Sequence, residues 1–252
     1  MSKRVGILGG ISHESTGTYY ERIHRRYYEL KQDYHYPEVL IYSLDFQKFT
    51  DYENHDREGY IAYILTGLRA LERAGAELIV MAANSPHSVY PEVAAAVSTP
   101  ILSIAAATIA RARELNLKRL LLLGIKHTMD AEFYPREGTG VGIDVLVPNE
   151  DEKRTINGII FSELCLGRIE NASRRRLVEI VGRFEVDGVI LGCTELPLIL
   201  KNGDLPVEVL DTVAIHVEAA LRECLDLPPE PCRRDGASRG LSSVCRASAG
   251  RP

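Results

Sequence analysis

The chain alternates short apolar runs with longer stretches of helical periodicity. Stretches such as 14–30, 60–74 and 174–184 place apolar residues three and four positions apart, which is typical of amphipathic helices. The short apolar runs are typical of buried strands and lie at 5–8, 39–43, 78–82, 119–123 and 188–191. Strands that alternate with helices in this way predict parallel sheets covered on both faces.

The two halves of the chain repeat one pattern. Residues 73–85 and 183–195 each combine a helix end, an acidic residue, an apolar strand and then small polar residues, and Ala83 and Cys193 occupy equivalent positions. Residues 5–9 and 120–124 match more loosely, since each is an apolar strand that ends in glycine. The repeat predicts an α/β fold of two pseudo-symmetric Rossmann-like domains with parallel sheets and an active site in the interdomain cleft.

The predicted domain boundaries follow from this repeat. Residues 1–104 plus 207–227 are assigned to the first α/β domain, because the last helix is expected to pack back on it, and residues 105–206 to the second. The segment 228–252 is rich in Pro, Gly, Ser and Arg and is predicted to be a disordered tail.

Composition narrows the classes of partner. The 252 residues carry a formal net charge of −5, which offers no basic field for nucleic acid. The apolar runs are far shorter than the ~20 residues of a membrane span, and a secretory signal is not evident, so we expect a cytoplasmic protein with a small-molecule ligand. The five cysteines form no CxxC pair, which argues against a zinc site or a disulfide framework; no metal is expected.

Ligands of parallel α/β sheets bind beyond the carboxyl ends of the strands, and polar residues cluster there. The turn at 9–12 is either an anion-binding turn or a tight turn that needs glycine for a positive φ. Lys126 and Thr128 either hold a substrate carboxylate or belong to a solvated loop. Neither GxGxxG nor GxxxxGK[ST] occurs, which argues against a dinucleotide or a nucleoside triphosphate.

Two cysteines and two histidines are considered for catalytic or structural roles. Cys193 follows a strand close to a predicted helix start, which favours a lowered thiol pKa, although a buried small hydrophobe is the alternative. Cys165 belongs to a predicted helix over 150–166 and is expected in the core. His87 is either a base or a histidine that donates to the backbone, and His216 is expected to be structural.

These strand-end segments resemble the aspartate/glutamate racemase superfamily, the cofactor-independent amino-acid racemases. The resemblance rests on Gly9-Gly10-Ile11-Ser12, Ala83-Asn84-Ser85-Pro86-His87 and Gly192-Cys193-Thr194-Glu195, and the segments 127–130, 159–167 and 211–216 are similar to its aspartate and broad-specificity branch. It implies transfer of the α-proton of an amino acid between two thiols on opposite faces, with neither PLP nor metal, and commonly a homodimer.

The resemblance also assigns roles to individual residues. It implies that the substrate carboxylate and amine are held by Gly10, Ile11, Ser12, Asn84, Ser85, Thr194 and Glu195. The polar segment 45–57 is similar to a loop that closes over substrate in the family, and Lys48 is a weak candidate for its cationic residue.

The sequence departs from the family at Ala83, which occupies the position of the first thiol and cannot transfer a proton. Three readings follow. The favoured one is a racemase in which Cys193 is the remaining thiol acid/base, and Ser85 or a water held by Asn84 and Ser85 supplies the second proton. The others are a single-thiol decarboxylase or isomerase of the same superfamily and a non-catalytic protein that binds an amino acid or dicarboxylate.

Overall fold

The structure is a computed structural model, and it describes residues 2–227. The predicted tail at 228–252 lies outside the described residues. The strands are β1 (Val5–Gly9), β2 (Val39–Ser43), β3 (Leu78–Met81), β4 (Ile101–Leu102), β5 (Arg119–Gly124), β6 (Asp144–Leu146), β7 (Gly188–Gly192) and β8 (Glu208–Asp211).

Eleven α-helices within residues 2–227 connect and cover these strands. In chain order they are α1 (His13–Lys31), α2 (Phe46–His55), α3 (Arg57–Arg73), α4 (Tyr90–Ala95), α5 (Ile104–Glu114), α6 (Lys126–Asp130), α7 (Phe133–Thr139), α8 (Glu150–Ser162), α9 (Asn171–Val181), α10 (Leu196–Ile199) and α11 (Thr212–Cys224). Two 3₁₀ turns occupy Ser85–Val89 and Leu164–Leu166.

The strands form two four-stranded parallel sheets with the same topology. Their orders are β2-β1-β3-β4 and β6-β5-β7-β8, so that each strand of the first sheet has a counterpart at the same place in the second. The predicted fold class, two similar α/β halves with parallel sheets, is therefore confirmed. The central strands β1 and β3 correspond to β5 and β7, as the repeat in the sequence indicated.

The acidic residue that recurs before the third strand of each half has the same structural task in both. The carboxylate of Glu77 accepts the backbone N–H of Arg4 at 2.9 Å. The carboxylate of Asp187 accepts the backbone N–H groups of Lys118 and Arg119 at 2.7 and 2.9 Å. Each carboxylate thus binds backbone donors at the start of the neighbouring central strand, and these bonds lower the pKa of both acids.

Each half has its own buried core. In the first sheet, Val5 and Ile7 face the helices α1 and α11, whereas Leu8 faces α3, as the two-residue period of a strand requires. The second sheet is buried in a separate cluster that includes Ala105 and Ile109 of α5. The helices α5 and α11 therefore cross over: each follows the last strand of one sheet and packs on the other half.

The crossover corrects the predicted boundary at 207–227. Its strand, β8, pairs with β7 through Gly188↔Glu208 and the residues that follow, and therefore belongs to the second sheet. Only the helix α11 packs on the first half, where Val213, Val217 and Leu221 join the core. Within residues 2–227, no helix is both long enough and apolar enough to span a membrane.

Candidate active site

A cleft of about 200 Å³ lies between the two halves, beyond the carboxyl ends of the central strands. Residues that follow β1, β3, β5 and β7 all contribute to its wall. The sequence-predicted site residues that line it are Ile11, Ser12, Ala83, Asn84, Ser85, Thr128, Cys193, Thr194 and Glu195. The topology thus gathers strand-end segments that are far apart in the chain.

Cys193 lies in this cleft directly after β7, partly buried. Its thiol donates to Oε2 of Glu195 at 2.9 Å, and the hydroxyl of Thr194 donates to the same oxygen at 2.7 Å. Burial of the sulfur, together with the negative charge of Glu195, raises the pKa of Cys193 well above its usual range. The expected lowering is therefore wrong in this state, since the helix that follows, α10, is a single turn and the carboxylate opposes ionisation.

Thr128 supplies a free hydroxyl to the same wall. It lies in α6, just after β5, and is completely buried. Its Oγ1 has no hydrogen-bond partner within residues 2–227. A buried hydroxyl without a partner costs free energy, which a bound polar ligand would recover.

The glycine turn after β1 is held by the protein itself. Gly10 has a φ of +83°, and a side chain there would collide with the backbone of Leu44. Its N–H donates to Oγ1 of Thr16 at 2.8 Å, and Gly10 does not line the cleft. Ser12 caps the N-terminus of α1, where its hydroxyl accepts the N–H of Ser15 at 3.4 Å, and Ile11 and Ser12 both line the cleft.

Asn84 uses its side chain to join elements of both halves. Its Oδ1 accepts the hydroxyl of Tyr134 in α7 at 2.7 Å, and its Nδ2 donates to Oγ1 of Thr212 at 3.2 Å. The hydroxyl of Thr212 in turn donates to the carbonyl oxygen of Leu191 in β7 at 2.8 Å. Asn84 therefore lines the cleft with a side chain that is already positioned by two hydrogen-bond partners.

The two candidate histidines are neutral structural residues. Nδ1 of His87 donates to the carbonyl oxygen of Ala83 at 3.1 Å, and its Nε2 accepts the N–H of Ile104 at 3.1 Å. Burial lowers the pKa of His87 to about 4. His216 lies between the hydroxyl of Tyr19 and the carbonyl oxygen of Leu102, and burial lowers its pKa to about 3. Both nitrogens of each ring are engaged in hydrogen bonds, and neither histidine lines the cleft.

The two lysines predicted to bind an anion lie outside the cleft. Lys126 pairs with Asp130 one turn along α6, and with Glu150 at 3.0 Å. These acids raise the pKa of Lys126, and its ammonium group is already paired with two carboxylates. Lys48 is exposed on α2 and does not line the cleft either. Lys126, which was expected to hold a substrate carboxylate, therefore does not reach the cleft.

Helix α2 and the turn at Cys165 add residues that the predicted site lacks. Phe46, Phe49, Thr50 and Glu53 recur at helical spacing along α2 and line the cleft, so the polar segment 45–57 contributes a helical part of the wall. Cys165 also lines the cleft and is exposed, which corrects its predicted place in the core. The reason is local: helix α8 ends at Ser162, and a 3₁₀ turn carries Cys165 away from the buried face.

The model of the Asp/Glu/hydantoin racemase family matches residues 8–220, which include every strand-end segment of the cleft. The chain belongs to the Asp/Glu/hydantoin racemase family. Within residues 2–227, no group of three or more His, Cys, Asp or Glu side chains is arranged to hold a metal ion.

This chain is similar to individual racemases and racemase homologues over most of their length. The broad specificity amino-acid racemase RacX of Bacillus subtilis is 24% identical over 215 residues, which are 83% of this chain and 93% of RacX. An aspartate racemase homologue from Pyrococcus horikoshii is 39% identical, with a TM-score of 0.78 over 88% of this chain and 99% of that one. The Picrophilus torridus aspartate racemase, 22% identical, shares the fold with a TM-score of 0.70 over 88% and 94% of the two chains.

Proposed function

We propose that this protein is a cofactor-independent amino-acid racemase in which Cys193 exchanges a proton with the α-carbon of the substrate. The observation that carries the proposal is the hydrogen-bonded Cys193–Glu195 pair in the cleft between two equivalent halves. Membership of the racemase family supports the same activity.

The geometry supports a division of labour across the cleft. Glu195 accepts the hydrogen bond of the thiol and can therefore take its proton, which leaves a thiolate to remove the α-proton from one face. On the wall that carries Ala83 and Ser85, the Ser85 hydroxyl or a water beside it donates a proton to the other face of the α-carbon, and the deprotonated oxygen then takes a proton from solvent. In this proposal the buried hydroxyl of Thr128, which has no hydrogen-bond partner within residues 2–227, donates to the substrate carboxylate.

The test is α-deuterium incorporation from heavy water into each of the twenty L-amino acids, followed by mass spectrometry. We expect exchange with at least one amino acid, and we expect Cys193→Ala to abolish it because the sulfur of Cys193 is the group that removes the α-proton in this proposal. Cys224→Ala is the matched control, since that thiol lies in α11 and donates to the carbonyl oxygen of Lys3. Carbon dioxide release from a substituted malonate, without exchange of any amino acid, would favour a decarboxylase instead.

A further inference from the structure

The charges along the cleft have a single sign. The charged side chains that line it are Glu53 and Glu195, and within residues 2–227 no lysine or arginine lines it. An amino acid with a second carboxylate would have to place that group against this negative wall. Like charges in a cleft partly shielded from water repel more strongly than they do in bulk water.

The tyrosine behind Glu53 holds its carboxylate in place. The buried hydroxyl of Tyr60 donates to Oε1 of Glu53 at 3.0 Å. Glu53 makes no ion pair with the cationic side chains of residues 2–227. A positioned and partly buried carboxylate without a counter-ion can bind a cationic group of a ligand.

The two acids belong to different parts of the wall. Glu195 follows β7 and contacts the thiol of Cys193, so it lies where the α-carbon must react. Glu53 projects from α2 of the other half, alongside the rings of Phe46 and Phe49. The unpartnered hydroxyl of Thr128 marks a further polar position on the wall. The half-exposed ring of Phe46 offers an apolar surface for methylene groups, and Glu53 offers an anion for a terminal cation.

We propose that the cleft selects amino acids whose side chain ends in a cation, such as a diamino acid or a guanidino amino acid, and that Glu53 is the residue that determines this specificity. The inference rests on the proposed racemase function and names its substrate class. Dicarboxylic amino acids are disfavoured because their second carboxylate meets Glu53 without a cation to receive it.

The experiment compares rates of α-deuterium exchange for matched substrates. For the unmodified protein we expect kcat/KM for L-lysine to exceed that for L-glutamate at least tenfold. L-Norleucine is the neutral reference, since it has an unbranched apolar side chain without the ammonium group. In Glu53→Gln we expect the ratio of lysine to norleucine to fall roughly tenfold, mainly through KM, because the contact is distant from the reacting carbon.

Two further variants sharpen the test. Glu58→Gln removes an exposed carboxylate of α3 that does not line the cleft, and it should leave the lysine-to-norleucine ratio unchanged. Glu53→Lys reverses the charge and should raise the ratio of glutamate to lysine. The substrate profile of the unmodified protein needs no variant, so it decides the question even if a substitution impairs folding.

The outcomes separate the two proposals. Faster exchange of aspartate or glutamate than of lysine overturns the substrate class and leaves the racemase intact. An equal loss for lysine and norleucine in Glu53→Gln overturns the role of Glu53 in specificity. The absence of exchange with every amino acid overturns the racemase function, and this inference with it.

Discussion

Cys193 and Glu195 form a hydrogen-bonded thiol–carboxylate pair. Burial favours the neutral thiol, and the nearby negative charge adds to the effect, so the pKa of Cys193 is raised. Removal of the charge in Glu195→Gln must therefore lower that pKa and increase the thiolate fraction at a given pH.

We expect Cys193 to be alkylated by iodoacetamide slowly at neutral pH, faster as the pH rises, and faster in Glu195→Gln than in the unmodified protein at every mildly alkaline pH. Peptide mass spectrometry distinguishes Cys193 from Cys165, whose own pKa is raised to about 11 chiefly by burial. Glu58→Gln serves as the control for loss of a carboxylate outside the cleft. Slower alkylation in Glu195→Gln would contradict this expectation, because it would mean that loss of the charge does not increase the thiolate fraction of Cys193.

The wall at Ala83 carries no titratable side chain at the end of β3, at the position equivalent to Cys193. We expect Ala83→Cys to raise the racemisation rate roughly tenfold or more, because a positioned acid or base replaces a weaker proton donor. Chiral chromatography of the products measures the change. The same substitution in a Cys193→Ala background should give no comparable gain, and an unchanged rate in the single variant would show that proton return at this wall does not limit turnover.

Residue-level prediction from sequence succeeds where a side chain follows a central strand and fails where its direction depends on neighbours. Cys193 and Thr128 reach the cleft because the strand ends carry them there. Lys126 also follows a strand, but acids one turn along its helix and in α8 neutralise it. The four-residue spacing between Lys126 and Asp130 is the signal that favours this pairing, since residues at that spacing face one another on a helix.

At the scale of elements, the two periodicities of the sequence predict the order of strands and helices, and the repeat predicts their common topology. The sequence does not predict as well which strands pair, because an apolar strand pattern indicates that a strand is buried but not to which sheet it belongs. For this reason the predicted first domain, which includes 207–227, places β8 in the wrong sheet. Helix α2 was missed because its surface is polar, yet Phe46, Phe49 and Glu53 repeat at helical spacing and could have revealed a narrow amphipathic face.

At the scale of the whole molecule, the two halves bury separate cores and are joined by the crossing helices and by a polar chain. In this series of hydrogen bonds, Tyr134 donates to Asn84, Asn84 donates to Thr212, and Thr212 donates to the backbone of β7. All three side chains are buried. The width of the cleft therefore depends on hydrogen bonds that have no competing water, and such bonds couple their partners strongly.

The coupling is measurable by a double-mutant cycle on Asn84→Ala and Tyr134→Phe. Tyr134→Phe should lower the free energy of unfolding by about 1–3 kcal/mol, because it leaves the Asn84 carbonyl buried without its donor. Asn84→Ala should lower the free energy of unfolding by at least as much, since it removes the hydrogen-bond partner of both Tyr134 and Thr212. In the double variant, the loss of unfolding free energy should be smaller than the sum of the two single losses by about 0.5–3 kcal/mol, as measured by urea unfolding.

The control is Tyr134→Phe combined with Cys224→Ala, in α11, whose losses of unfolding free energy should add. If the Asn84 and Tyr134 effects also add, the bond between them does not hold the halves together, and the crossing helices alone must set the width of the cleft.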